Sequence, residues 1–324
     1  MAHNVALLVY PGFELLDASG PASVFAQANR ALKEKGAPPF YCVETVSAEG
    51  GPVLSSSGVS LDTRPLSAVS PDWPDTLLVM GAEREYLAGV VEEPAANRFL
   101  LACAENVTRL GSVCSGAFAL AALGLLDGRR VASHWDACAP LARLYPAITV
   151  DPETLYVADG KYWTSAGVTT GIDMALAMVS QDVGPDITSS VAKRLVLYVR
   201  RPGYQSQFSP LLKAQVKADD PFADLINWVH ANLDKPLDVP GLAARAGLSE
   251  RSFYRKFVNA TGETPARFIE TLRLDAARML LAQGLSIKAI AVRVGLAPAA
   301  RLSEAFERRF GLTPRLFREM HAGS

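Results

Sequence analysis

Short apolar runs alternate with helical patterns over the first two thirds of the chain. Val5 to Val9, Tyr41 to Ser47 and Thr76 to Met80 have the length and the β-branched content of strands. Gly20-Pro21 is predicted to open a helix that reaches Ala31, and Pro94 to Asn106 is predicted to form another. Strands alternating with helices predict an α/β fold, a mostly parallel sheet covered by helices on both faces.

A single cysteine lies between a predicted strand and a predicted helix. The run from Val107 to Val113 leads into Cys114, and a helical pattern follows from Ala117 to Leu126. The small residues beside Cys114 permit a strained turn, and a helix N-terminus beneath the sulfur favours the thiolate. A small buried thiol is the alternative interpretation, since free cysteine is among the most buried residue types.

Four candidate site positions follow predicted strand ends. They are Asp17, Gly81, Cys114 and the region of His134. In open parallel sheets, ligands bind at the carboxyl ends of the strands. We therefore expect these four positions to share one pocket.

The last third of the chain repeats itself. Leu242 to Ser249 is matched by Ile290 to Ala297, with a glycine turn at Gly247 and at Gly295. Later positions also match, namely Phe257, Gly262, Thr264, Pro265 and Phe268 with Phe306, Gly311, Thr313, Pro314 and Phe317. The repeat predicts an all-α domain with two helix-turn-helix units, at about 237–259 and 286–310, joined by a helix over 267–283. The apolar side of this helix is predicted to comprise Phe268, Leu272, Ala276, Met279 and Leu280. A plain helical bundle is the alternative.

Composition and charge add a candidate partner. The chain has 324 residues, 49% of them hydrophobic, and a net charge of −1. Residues 1–210 carry 15 basic and 21 acidic side chains, whereas residues 211–324 carry 17 and 12. A basic C-terminal segment indicates a polyanion such as double-stranded DNA, although a solvated helical face has the same composition.

Other compositional features exclude several classes. The N-terminus lacks a leader pattern and no apolar run reaches spanning length, so we expect a cytoplasmic protein without a membrane partner. The four cysteines are widely spaced and form no CxxC motif. This spacing argues against a disulfide framework and against a zinc site, and no metal or cofactor is predicted.

The cysteine turn carries a family resemblance. Gly111 to Phe118, continued by Gly124 to Trp135, resembles the elbow region of the PfpI-type branch of the class I glutamine-amidotransferase-like superfamily, which has a flavodoxin-like fold. Pro11 to Asp17, Gly20-Pro21 and Thr169 to Asp173 are similar to segments of its isonitrile hydratases and of regulators built on the same domain. The resemblance implies that Cys114 occupies the nucleophile position and that Asp17 is its acidic partner.

Backbone N–H groups at Gly81 and Ser115 are candidates to hold an oxyanion, and His134 is a candidate base. His134 is favoured instead as a hydrogen-bonded structural residue. Hydratases carry Gly-Gly where this chain has Gly81-Ala82, which places the oxyanion site in doubt if the second position needs a positive φ. The expected effector pocket comprises Asp17, Gly81, Ala82, Cys114, Ser115, His134 and Thr169.

The C-terminal repeat resembles the paired helix-turn-helix domain of AraC/XylS regulators, and its fusion behind a PfpI-like domain resembles the GlxA-type regulators. We expect the PfpI-like domain at 1–201, a linker at 202–219 and the DNA-binding domain at 220–324, where Asp219-Asp220-Pro221 caps the first helix.

Exposed polar residues of each unit are the candidate DNA contacts. In the first unit Ser249 is the expected N-cap, Arg251 and Arg255 are expected to read bases, and Ser252 and Lys256 accompany them. In the second unit the candidates are Arg301, Ser303 and Arg308. There Ala297 occupies the capping position. Glu304 can accept a hydrogen bond from cytosine but also repels phosphate, so we expect altered or weaker sequence reading. Two such helices in successive major grooves lie roughly 34 Å apart.

The leading functional hypothesis is a sequence-specific transcriptional regulator. Its PfpI-like domain is expected to bind a small effector, with nitrogenous metabolites as candidates, and to form a homodimer. One alternative is a cysteine-dependent hydratase or amidase of the isonitrile hydratase type, with a DNA-binding tail. Another is a thiol redox sensor that uses Cys114.

Overall fold

The computed structural model describes residues 2–197, 203, 207 and 222–321. The chain divides into two compact units, Met1–Gln207 and Phe208–Ser324. The division lies inside the predicted linker, residues 202–219. Most of that linker, together with the predicted cap at Asp219 to Pro221, lies outside the described residues.

An eight-stranded sheet forms the centre of the first unit, in the order β3-β4-β2-β1-β5-β6-β10-β9. The β3–β4 and β9–β10 pairs are antiparallel, and the other neighbours are parallel. The strands are β1 (His3–Leu8), β2 (Tyr41–Ser47), β3 (Gly51–Leu54), β4 (Ser60–Pro65), β5 (Thr76–Val79), β6 (Arg109–Val113), β9 (Tyr156–Asp159) and β10 (Tyr162–Ser165). A separate parallel pair consists of β7 (Arg130–Val131) and β8 (Thr149–Val150). The predicted fold class is confirmed.

Helices cover both faces of this sheet. They are α1 (Leu15–Glu34), α2 (Arg84–Glu92), α3 (Pro94–Asn106), α4 (Ala117–Ala122), α5 (Trp135–Leu144), α6 (Thr169–Val183) and α7 (Pro185–Arg194). Side chains of β1 alternate between two apolar clusters, because successive strand residues point to opposite faces. Val5 and Leu7 lie in the cluster with α1 and α6, whereas Ala6 and Leu8 lie in the cluster with α3 and α4.

The prediction for Gly20-Pro21 is wrong. Helix α1 begins at Leu15, where the Glu14 side chain accepts from the Leu16 N–H, and Pro21 lies inside the helix. The two residues mark a close contact between α1 and α6 instead. A Cβ on Gly20 would lie 2.9 Å from Ile172 Cγ1, and one on Gly171 would lie 3.5 Å from Pro21 Cγ.

The helix after the cysteine turn is shorter than predicted. It ends at Ala122 rather than Leu126, because the Gly124 and Leu125 N–H groups fold back to the Ala121 and Leu120 carbonyls. Such backbone bonds satisfy the last carbonyls of a helix and terminate it.

The second unit consists of helices in the described range. They are α8 (Ala223–Ala231), α9 (Val239–Arg245), α10 (Glu250–Thr261), α11 (Pro265–Ala282), α12 (Ile287–Arg293), α13 (Ala299–Phe310) and α14 (Pro314–His321). The pairs α9–α10 and α12–α13 form the two helix-turn-helix units, and α11 contacts helices of both. In the described part of the chain, no helix has the length and apolarity needed to span a bilayer.

The connecting helix α11 is buried on more than one side. Phe268 and Leu272 are buried as predicted, whereas Ala276, Met279 and Leu280 are only half-buried. Other buried positions were not predicted, namely Ile269, Leu274, Ala277 and Leu281. A single apolar stripe does not account for all of these buried residues, because the helix packs against α10 on one side and against α12 to α14 on another.

Candidate functional site

The cysteine turn has the strained geometry that the sequence predicts. Cys114 has φ 58°, and residues 114–116 form a single 3-10 turn between β6 and α4. A non-glycine residue in this region costs about 1–3 kcal/mol and is held in place by its surroundings. Here the neighbouring Gly116 lies so close to the Val79 carbonyl that a Cβ would overlap it. The turn thus fixes the sulfur at the carboxyl end of the sheet.

Asp17 joins the ends of several strands at this edge. Its side chain is completely buried. One carboxyl oxygen accepts from the Val168 N–H at 2.6 Å, just after β10, and the other accepts from the Gly81 N–H at 3.1 Å, after β5. The loops after β5 and β10 are therefore tied to the helix that follows β1.

Two glycines close this site around the thiol. A Cβ on Gly81 would lie 2.5 Å from Cys114 Cβ and 2.8 Å from the Asp17 carboxyl. Gly167 has φ 88°, and a Cβ there would lie 2.8 Å from Cys114 Sγ and closer still to its Cβ and Cα. Gly167 and Val168 were not among the predicted site residues. The signal available in the sequence was Gly167 itself, a glycine two residues before the Thr169 to Asp173 motif.

The electrostatics of the site differ from the prediction. Burial raises the pKa of Asp17 to about 7, although the N–H groups of Val168 and Gly81 favour its ionised form. The pKa of the Cys114 thiol is also raised, first by burial and second by the negative charge of Asp17. The expected thiolate is therefore wrong for this structure, because desolvation outweighs the helix N-terminus.

The candidate oxyanion donors are largely engaged. The Gly81 N–H binds Asp17, and the Ala82 N–H binds the Ser115 hydroxyl at 3.0 Å, which in turn donates to the Ala82 carbonyl at 2.7 Å. Ala82 is not among the described non-glycine residues with positive φ, so its Cβ carries no conformational cost. The Ser115 N–H, the second predicted donor, faces the Cys114 sulfur and favours its ionised form.

His134 and Thr169 lie at the rim of this site by their positions in the chain. The Ser133 hydroxyl donates to the Cys114 carbonyl at 2.8 Å, and His134 follows it at the start of α5. Burial lowers the pKa of His134, which favours a neutral ring. The expected structural hydrogen bond is not found, since no described residue bonds to this ring. Thr169 is the exposed first residue of α6.

The chain returns to this rim before it leaves the first unit. The Gln207 side chain donates to the Ser133 carbonyl at 2.9 Å and to the Thr154 carbonyl at 3.0 Å. The Gly203 carbonyl accepts from the Leu155 N–H at 2.6 Å, and a Cβ on Gly203 would lie 2.5 Å from the Tyr156 carbonyl.

A polar cluster lies at the opposite end of the parallel strands. Arg109, nearly buried at the start of β6, pairs with Asp182 and donates to Gln181 at 2.9 Å. Tyr41 also donates to Asp182, at 2.8 Å. The cluster borders a cleft of about 360 Å³. Because these polar groups satisfy one another, we assign the cluster to fixing α6 against the sheet.

The first recognition helix, α10, is built as predicted. The Ser249 hydroxyl caps it by accepting from the Ser252 N–H at 3.4 Å, and Phe253 and Phe257 are buried. Both rings pack edge-on against Phe222 of the same unit. Arg251, Arg255 and Lys256 are exposed, and Ser252 is half-buried.

Loss of the Ser249 cap is expected to loosen α10. Ser249→Ala leaves an N-terminal N–H without its acceptor and destabilises the helix by about 1 kcal/mol. Amides at the start of α10 should then exchange about fivefold faster in hydrogen-exchange mass spectrometry of the full chain. Ser303→Ala is the matched control, because this mid-helix hydroxyl only donates back to the Ala299 carbonyl at 3.0 Å. Equal effects of both changes would contradict the cap.

The second recognition helix, α13, differs from the first at its start. Its N-cap is Pro298 rather than the predicted Ala297, and no side chain caps it. The turn after Gly295 is one residue longer than the turn after Gly247, which moves the helix start along the chain. Of the predicted contacts, Arg301 is exposed, the Ser303 hydroxyl bonds within the helix, and Arg308 pairs with Glu270 at 2.7 Å.

Comparisons with known proteins match both units. A model of the DJ-1/PfpI family matches residues 3–181, and a helix-turn-helix domain model matches residues 242–320. The chain is 31% identical to the HTH-type transcriptional regulator CdhR of Pseudomonas aeruginosa, over 97% of this chain and 91% of that protein. It is 30% identical to the HTH-type transcriptional regulator GlxA of Rhizobium meliloti, over 85% of this chain and 84% of that protein.

Two further similarities concern the first unit. The chain is 32% identical to an isonitrile hydratase of Pseudomonas putida, over 64% of this chain and 83% of that protein. A crystal structure of a ThiJ/PfpI family protein from Pseudomonas syringae shares the fold, with a TM-score of 0.56 and 24% identity over 70% of this chain and 87% of that one. The predicted resemblance to regulators with a PfpI-like domain is confirmed.

Proposed function

Because this chain belongs to the DJ-1/PfpI family and also carries a helix-turn-helix domain, we propose that it is a sequence-specific DNA-binding transcriptional regulator. The observation that carries the proposal is the exposed face of α10, where Arg251 and Arg255 lie opposite the buried Phe253 and Phe257. Arginine at such a position can bind guanine with two hydrogen bonds in the major groove. A cytoplasmic location is part of the same proposal.

We propose further that the first unit binds a small effector at the edge where Asp17, Gly81, Cys114 and Ser115 meet. A buried carboxyl with a pKa near 7 suits a polar or cationic nitrogenous molecule, because a bound cation favours the ionised carboxylate. Ala82, His134 and Thr169 are assigned to the rim of this pocket. Homodimer formation through this unit is part of the same proposal.

Arg255→Ala is expected to weaken binding to selected DNA about 10-fold, because a bidentate contact to guanine contributes about 1–3 kcal/mol. Sequences would first be enriched from a random duplex library with the wild-type chain, and affinities then measured at fixed salt. Arg30→Ala in α1 is the control, since it removes an exposed arginine from the other unit. Equal affinities for wild type and Arg255→Ala would refute the assigned contact.

The effector role is tested by a thermal-shift screen of small nitrogenous metabolites against the full chain. A ligand that binds only the folded protein stabilises it in proportion to its affinity and concentration. Asp17→Asn should abolish the shift, and Lys35→Ala should preserve it. If the ligand raises the melting temperature of Asp17→Asn as much as that of wild type, Asp17 does not take part in ligand binding.

A hydratase is the second candidate function, favoured by the close packing of Asp17 and Cys114 and by the similarity to an isonitrile hydratase. The raised thiol pKa and the engaged Gly81 N–H oppose it. Turnover of isonitriles or amides that Cys114→Ala abolishes would establish the enzyme. DNA binding that survives Cys114→Ala, without any turnover in wild type, supports the regulator.

A further inference from the structure

The two recognition helices align on their buried residues and on their C-terminal glycines. Phe253 and Phe257 of α10 are buried, as are Leu302 and Phe306 of α13. Each helix is followed by a left-handed glycine, Gly262 or Gly311. This alignment places Glu304 of the second unit at the position of Arg255 in the first.

Both side chains point away from the core of their units. A residue two positions from each of two buried residues spaced i and i+4 lies on the opposite side of a helix. Arg255 has this relation to Phe253 and Phe257, and Glu304 has it to Leu302 and Phe306. Both are exposed. The two helices thus present opposite charges at their equivalent outward positions.

Other polar side chains near Glu304 are already occupied or lie elsewhere. The Ser303 hydroxyl donates to the Ala299 carbonyl, and Arg308 is paired with Glu270. Ala300 stands where the first unit has Arg251. Glu307 lies a turn further along, whereas base contacts of helix-turn-helix proteins come from the N-terminal part of the helix. No described residue binds the Glu304 carboxylate, which leaves it available at the outward face.

The second unit also carries a basic pair, Arg273 and Arg301. Arg273 of α11 is held by the Leu233 carbonyl at 3.1 Å and the Lys235 carbonyl at 2.7 Å. Burial lowers the pKa of Arg273, and the nearby charge of Arg301 lowers it further. Two neighbouring guanidinium groups are suited to share a phosphate, which positions the helix without reading sequence.

We propose that Glu304 is a specificity-determining residue that accepts a hydrogen bond from the N4 amino group of a cytosine, while Arg255 reads a guanine at the equivalent place in the first unit's site. One chain then recognises two unlike segments instead of a repeated one. This inference rests on the proposed function and assigns the base chemistry of its second unit.

The test is a selection from a random duplex library with the full chain, carried out for wild type, Glu304→Ala, Glu304→Gln and Arg255→Ala. Glu319→Gln in α14 is the control, because it removes an exposed carboxylate from the same domain. Wild type should enrich two segments about one helical turn apart. Replacing the read C·G pair by T·A should lower wild-type affinity about 10-fold and Glu304→Ala affinity less than about twofold.

Each outcome decides between the interpretations. A change in base preference that is confined to the second segment in both Glu304 variants, and absent in Glu319→Gln, supports the assignment. A uniform gain in affinity for all sequences in Glu304→Ala would overturn it, since Glu304 would then only repel phosphate. An unchanged base preference in the second segment of both Glu304 variants overturns it as well. In that case a changed base preference in the first segment of Arg255→Ala still supports the proposed function. Enrichment of no motif by wild type overturns both.

Discussion

Gly167→Ala is expected to destabilise the first unit by about 3 kcal/mol or more. The new methyl group would lie 2.8 Å from Cys114 Sγ and overlap the Cβ and Cα of the same residue. Cys114 cannot retreat, because its own backbone is held in a strained turn with φ 58°. A positive φ of 88° at Gly167 adds a conformational cost for any residue with a Cβ.

Gly36→Ala separates these two costs. Gly36 has φ 75°, similar to that of Gly167, but a Cβ there would meet nothing within 4 Å. We expect Gly36→Ala to cost about 1 kcal/mol, the conformational part alone. Urea unfolding of both variants, followed by tryptophan fluorescence of the first unit, gives the comparison. Equal losses in both variants would show that the contact with Cys114 is not tight.

The stability of the first unit is expected to fall by about 3 kcal/mol between about pH 5 and pH 8 because of Asp17. The carboxyl has a pKa of about 7 in the folded chain, against an ordinary value of about 3.9 when unfolded. Between these values the folded state binds more protons than the unfolded state. Stability from this group is therefore present at low pH and is lost as the pH rises through the folded pKa.

Asp17→Asn is the variant that isolates this effect, since an amide does not titrate. The difference in unfolding free energy between wild type and Asp17→Asn should change by about 3 kcal/mol over the same pH range. Asp62→Asn, an exposed carboxylate of β4, should leave the pH dependence as it is in wild type. A pH-independent difference between wild type and Asp17→Asn would mean that Asp17 titrates near its ordinary value.

Local patterns were sufficient to predict the fold and the shape of the cysteine turn. The alternation in Val5 to Leu8 determines which side chains face which helix layer, because the strand period is two. Small residues around Cys114 predicted a tight turn since few others fit there. The repeated Gly-x-Thr-Pro segments likewise predicted both helix-turn-helix units, because they end one helix and begin the next.

Long-range contacts determined the rest of the site. Gly20-Pro21 has the composition of a helix start, but its role depends on Ile172, 152 positions away in the chain. The direction of the pKa shift of Cys114 depends on burial and on Asp17, neither of which its neighbours in sequence reveal. Engagement of the Gly81 N–H by Asp17 is likewise a tertiary contact. The N-cap of α13 at Pro298 depends on one extra residue in the preceding turn, which the repeat alignment could not place.

The bonds of Gly203 and Gln207 determine where the first unit of this chain can be separated from the second. A fragment that ends at residue 201 would leave the Leu155 N–H and the carbonyls of Ser133 and Thr154 without these partners. Each such group costs about 1–3 kcal/mol when buried and unpaired. A chimaera joined after Gln207 keeps the first unit whole, whereas a junction a few residues earlier removes hydrogen-bond partners from the residues beside the cysteine turn.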